Sequence, residues 1–361
     1  MKPNNMSKTI TEVFMDLVHI PSPSGNEKKV AEYVTQFLKP LGWNTFIDDK
    51  GNVIARTSHR TVKPVVFVAH MDTVQKPGEI VRPQFDGIHF TSDGTTILGA
   101  DDKASVAVLL ALARSFYESK TEPPVVLIFT TREEAGTMSS SALSFEEINP
   151  LFICNVDGSN ALGTIDYRSY GQTIFELSIH GKAAHAAIEP EKGVHAISIL
   201  ARIVSGLRMG KSKSRTLNIG SISGGGATNI VPATASVRGE VRSYRQAMIK
   251  STLDKILQDA TRIAKKYGAT ARLKIVENTP PFIGAKSSFA VSRVVNALKK
   301  SGVAPIVQSA TYTSDSGYLS ASGYPTVTLC KGGLNPHSTS ESITLVEMEM
   351  LLEIVQKIII D

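Results

Sequence analysis

Three apolar runs constrain this chain more than any other feature. They are residues 65–70 (VVFVAH), 125–131 (VVLIFTT) and 151–157 (LFICNVD), all rich in β-branched side chains. A strand with one face in water alternates apolar and polar positions. A run that is apolar at nearly every position reads as a strand covered on both faces. Between the first two runs lies DDKASVAVLLALARSF, with Val106, Leu109, Leu110 and Ala113 at helical spacing. Residues 325–331 (PTVTLCK) read as a later strand, and LVEMEMLLEIVQKIII as a closing amphipathic helix. The pattern predicts an α/β fold, a mixed sheet covered by helices.

The middle of the chain has a different rhythm. In TIFELSIHG, Phe175, Leu177 and Ile179 alternate with polar residues, as on a strand with one buried face. A helical pattern through Val194, Ile197, Leu200, Ala201 and Val204 follows, then the strand-like RTLNIGSIS and ASVRGEVRS. A long helix is expected over about 245–267, and ARLKIVE completes the set. The order β-α-β-β-α-β is a ferredoxin-like α+β unit. It is expected as an insertion over 171–283, dividing a catalytic domain into segments 1–170 and 284–361.

Charge and apolar run length exclude other classes. The net charge is +6, but the 39 Lys and Arg are scattered among 33 acids without a basic stripe, so no nucleic-acid partner is expected. No stretch approaches the roughly 18 apolar residues of a membrane span. The only cysteines, Cys154 and Cys330, lie inside apolar runs and suit a reducing compartment. The expected location is the cytoplasm.

Each of the three runs leads into residues of ligand type: His70 with Asp72 in HMDTV, Glu133 and Glu134 in REEAG, Asp157 in NVDGS. Carboxyl ends of strands in open α/β sheets form the ligand crevice. Asp101 and Asp102 in GADDKAS stand at a helix start, and His337 lies in the loop GGLNPHSTSES. A lone histidine at a strand end, or acids before a helix, are ordinarily solvated or capping residues. Gathered at one rim, these carboxylates repel unless cations offset them. Mixed imidazole and carboxylate donors suit zinc, cobalt or manganese. Neighbours on a strand point to opposite faces, so Glu133 and Glu134 are expected to do different jobs.

The ordered set HMDTV, LGADDKA, REEAGTMSS, NVDGS, HGKAAHAAIEPEKG, GGGATNIVP and TSDSGYLSASGYPTVTLCKGGLNPHSTSESI resembles the peptidase T-like family of two-zinc exopeptidases, related to carboxypeptidase G and the aminoacylases. The resemblance spans nearly the whole chain. It implies a zinc-exopeptidase, phosphorylase/hydrolase-like catalytic domain with an inserted lid that also serves in homodimers. It implies two divalent ions bridged by Asp101, one also held by His70 and Asp157, the other by Glu134 and His337. Glu133 is then the general base for the hydrolytic water, and Asp72 the carboxylate that orients His70. The peptide after Asp101 is commonly cis in such proteins. In the inserted unit the resemblance assigns substrate contacts to His185, Asn229 and Arg242. The activity implied is aminopeptidase action on short peptides such as tripeptides. N-acyl amino acid hydrolysis, or peptide and metal binding without catalysis, are the rival readings.

Overall fold

The computed structural model describes residues 9–58, 62–136 and 139–360. Contacts divide the chain into two compact units, Met1–Ser169 with Phe282–Asp361, and Tyr170–Pro281.

In the first unit eight strands form one sheet in the order Asn44–Ile47, Val53–Arg56, Val125–Thr130, Val65–His70, Phe152–Gly158, Thr326–Cys330, Thr164–Asp166, Ile306–Gln308. The four central strands are mutually parallel. Val53–Arg56 and Thr164–Asp166 run antiparallel to their central neighbours, so the sheet is mixed. Every residue of the four central strands is buried, because both faces are covered. Val66, Val68, Val126, Ile128 and Ile153 pack on one side with Phe145, Ile148 and Leu319. Phe67, Ala69, Leu127, Phe129 and Cys154 belong to the larger core on the other side. The continuous apolar runs are two interleaved sets of core residues, one per face.

The helix Ala100–Ser119 is buried along its whole length from Ala100 to Ala113. The sheet packs on one side of it and helices Ile10–His19 and Leu345–Ile360 on another. Beyond its polar first turn it is therefore almost wholly apolar, as a central helix must be, and not merely along the stripe of Val106 to Ala113. Helix Ile10–His19 starts from a capping box between Thr9 and Glu12, a signature present in the sequence as TITE. A small sheet of Pro83–Phe85, His89–Ser92 and Ser342–Thr344 brings the two ends of the unit together.

The second unit is an antiparallel sheet in the order Gly210–Lys211, Thr216–Gly224, Thr234–Ser243, Gly171–His180, Thr270–Thr279. Helices Ala196–Ser205 and Gln246–Lys266 supply its core partners, burying Phe175, Leu177 and Ile179 on alternate positions of one strand. This is the β-α-β-β-α-β arrangement with one short edge strand added. Cys154 and Cys330 are buried free thiols. Among the described residues no helix is long and apolar enough to cross a membrane.

Candidate metal centre

Because the central strands are parallel, their carboxyl ends open on one edge, and the polar residues gather there. His70 closes its strand, and Asp157 lies one residue from the end of the next. His70 Nε2 stands 3.6 Å from Asp101 Oδ1 and 3.5 Å from Asp157 Oδ1. On the other side His337 Nε2 stands 3.4 Å from Asp101 Oδ2 and 2.9 Å from Glu134 Oε1. Asp101 thus turns one oxygen toward each histidine. Donor atoms of Asp101, Glu134 and His337 lie within 4.8 Å of one another, as do those of His70, Glu133 and Asp157. The Asp101–Asp102 peptide is cis, as the resemblance implied.

The acidic pair differs from expectation in one respect. The strand stops at Thr130, so Glu133 and Glu134 stand in a turn rather than on a strand. Arg132 takes a positive φ of 59°, and Gly136 N–H closes the turn on Glu133 O at 2.9 Å. Turn geometry, not strand alternation, sends the two carboxylates to different donor groups. Asp72 fixes that turn: Oδ1 accepts from Glu133 N–H at 3.0 Å, and Oδ2 from Glu134 N–H at 3.1 Å. Oδ2 also accepts from the Ser24 hydroxyl at 2.6 Å. His70 Nδ1 lies 2.9 Å from the Asp72 main-chain oxygen and 3.4 Å from Asp72 Oδ1. With Nδ1 turned to the main-chain oxygen, Nε2 is the ring nitrogen that faces Asp101 and Asp157.

Burial and crowding set the charges. Burial, reinforced by Asp157, pushes the Glu133 carboxyl well above the usual range. Burial pushes Asp102 up as well, while its Oδ2 accepts from the His70 main-chain N–H at 3.2 Å. Asp101 goes the other way: Lys331, His337 and His70 outweigh its burial and hold it ionised. Hydrogen bonds to Asp101 and Glu134 raise His337 to about 10. A cation taking that imidazole must displace its proton. Glu134 Oε1 is buried against His337 Nε2 at 2.9 Å, and Asp102 Oδ1 against the Lys331 ammonium at 3.5 Å. Imidazole and carboxylate donors gathered in two groups fit two divalent cations.

Two residues of this centre were not singled out from the sequence. Glu341 accepts from Leu98, Gly99 and Asp101 N–H at 2.9, 2.7 and 2.9 Å, tying the loop before Asp101 to the loop of His337. Gly99 is needed there, with φ at 80° and its Cβ position 3.2 Å from Thr73 Cγ2. Lys331 follows the strand Thr326–Cys330, so its signal was the same as that of His70, a polar residue ending an apolar run. It is buried, with Nζ 2.6 Å from Asp101 Oδ1.

In the second unit His185 and Asn229 lie on paired segments: Ala186 N–H donates to Asn229 O at 2.9 Å, and His185 bridges Ile230. His185 is exposed, and its Nδ1 accepts from Ala187 and Ile188 N–H at 3.2 Å each. The neutral ring therefore carries its proton on Nε2. Arg242 grips Glu240 with two bonds, Nε to Oε1 at 2.9 Å and Nη2 to Oε2 at 3.0 Å. It is half-buried on the strand Thr234–Ser243.

Residues 167–269 match the M20 peptidase dimerisation domain, and residues 52–192 match peptidase family M28. The uncharacterized protein YqjE of Bacillus subtilis is 30% identical over 98% of both chains. The crystal structure of aminopeptidase PepT from Bacillus cereus is 31% identical, with a TM-score of 0.87 over 99% of this chain and 98% of that one. The chain belongs to the peptidase T-like family of M20 peptidases. A tripeptidase structure from Staphylococcus aureus, 28% identical, superposes on this peptidase T-like chain with a TM-score of 0.89 over 99% of it and 98% of its own length. The likeness therefore includes both units, and the dimerisation match falls almost entirely within the second.

Proposed function

We propose that this chain is a two-metal aminopeptidase hydrolysing short peptides, tripeptides foremost. The observation that carries the reading is Asp101, whose two oxygens face two separate imidazole and carboxylate groups. Asp101 would serve both ions, with His70 and Asp157 holding one and Glu134 and His337 the other. Zinc is the proposed ion, with cobalt or manganese as substitutes. Two such ions acidify a water molecule and polarise the scissile carbonyl. Glu133 takes a proton from the attacking water and passes it to the leaving amine. Asp72 holds the turn that aims Glu133 and orients the His70 ring.

From the inserted unit, His185 donates Nε2–H to the substrate carbonyl oxygen, Asn229 binds the peptide beside it, and Arg242 holds a terminal carboxylate. A cytoplasmic location and a homodimer formed through residues 170–281 complete the proposal. The test is a screen of the zinc-loaded protein against tripeptides, dipeptides and N-acyl amino acids. Preference for free-amine tripeptides supports the reading. Preference for N-acyl amino acids transfers the site to the amidohydrolases, and inactivity on every class leaves a binding protein.

Arg242→Ala is expected to weaken kcat/KM for free-acid tripeptides at least about tenfold more than for the matching C-terminal amides, the scale of a charged hydrogen bond. Equal losses on acids and amides remove Arg242 from the carboxylate site. His185→Ala should lower turnover with metal content unchanged. Unaltered turnover makes His185 an ordinary surface residue.

A further inference from the structure

Lys331 is a buried cation inside a centre proposed to bind two more. Its Nζ lies 2.6 Å from Asp101 Oδ1, 3.5 Å from Asp102 Oδ1 and 3.6 Å from Asp157 Oδ1. His70 Nε2 addresses two of the same atoms, Asp101 Oδ1 at 3.6 Å and Asp157 Oδ1 at 3.5 Å. The ammonium and the imidazole therefore share one pair of carboxylate oxygens. The opposite group is different. There His337 faces Asp101 Oδ2 and Glu134 Oε1, and among the described residues the ion pairs of Lys331 are with Asp101 Oδ1, Asp102 and Asp157.

We infer that Lys331 makes the two metal positions unequal, acting as a built-in cation that competes for the Asp101 and Asp157 oxygens on the His70 side. The inference rests on the two-metal reading proposed above. The Glu134–His337 position fills first, and the His70–Asp157 position fills second and more weakly. The cause is electrostatic. An ammonium at hydrogen-bond distance from Asp101 Oδ1 has already neutralised part of the charge that draws a divalent ion there. A dication sharing the same oxygens must repel or displace that ammonium. In return Lys331 stabilises the metal-free protein, where Asp101, Asp102 and Asp157 crowd together and a buried carboxylate without a partner is costly.

The full-length protein, stripped of metal, is titrated with Zn2+ alone. Bound zinc is counted, the imidazole signals of His70 and His337 are followed by NMR, and thermal midpoints are recorded. In the wild type the first equivalent should shift the His337 signals, and only the second those of His70. Lys331→Met should tighten the weaker class by at least about tenfold, the scale on which groups around metal ligands act. The stronger class should stay as it was, and the metal-free midpoint should fall, so the rise on adding zinc becomes larger. Lys331→Gln serves if the methionine variant does not fold without metal, and the wild-type NMR order needs no variant. The inference is overturned if both positions fill together, if His70 responds first, or if the variants bind zinc unchanged or more weakly. Those results leave two-metal binding standing. Wild type and variants that all saturate below two zinc ions per chain would instead sink the two-metal reading itself.

Discussion

Glu133→Gln is expected to lower turnover on a tripeptide by at least about a hundredfold while leaving two metal ions bound, the usual scale for losing a general base. The substitution keeps the size and hydrogen-bonding shape of the side chain and removes only its capacity to accept a proton. The turn survives, because it is held through the Glu133 and Glu134 main-chain N–H groups on Asp72. Glu134→Gln is the control. Its carboxylate lies with Asp101 and His337, so losing that charge should lower occupancy of one ion, and excess metal should partly restore activity. Metal analysis beside steady-state kinetics on one substrate separates the cases. Should Glu133→Gln shed metal while Glu134→Gln keeps both ions, the roles of the pair are reversed. If both variants stay loaded and active, neither residue does what is proposed.

Exhaustive chelation is expected to abolish hydrolysis, with zinc, cobalt or manganese restoring it. Metal removal should also lower the thermal midpoint, because ions bound only by the folded state stabilise it by mass action. The physical basis is the crowd of buried acids: Asp101, Asp102 and Asp157 approach within 4.8 Å, with Lys331 as their buried ammonium. Restoration by binding should also release protons, since His337 is held protonated up to about 10 by Asp101 and Glu134. A weakly buffered solution would show that release as acidification on adding zinc at pH 8. Full activity in protein shown to carry no metal would end the two-metal mechanism.

The doubly covered centre of the sheet was legible in the residues alone. A strand buried on both faces has no polar positions to spare, so the runs at 65–70, 125–131 and 151–157 had to be covered on both sides. The β-α-β-β-α-β order of the second unit was equally plain, because alternation along Gly171–His180 marks a sheet with one covered face. The candidate donors could be named because strand polarity carries the ends of parallel strands to one edge. Sequence spacing stops there. That Asp101 offers opposite oxygens to His70 and His337 depends on a contact between segments more than two hundred residues apart, which no local pattern encodes. Glu133 and Glu134 part company through a turn pinned by Asp72, not through the strand alternation their adjacency suggested. Glu341, bonded to three main-chain N–H groups of the Leu98–Asp101 loop, and Lys331, set among three carboxylates, carry no mark of those partners in their local sequence. Only tertiary structure decides such cases, because the energy of a charge is set by what surrounds it in space and not by its neighbours in the chain.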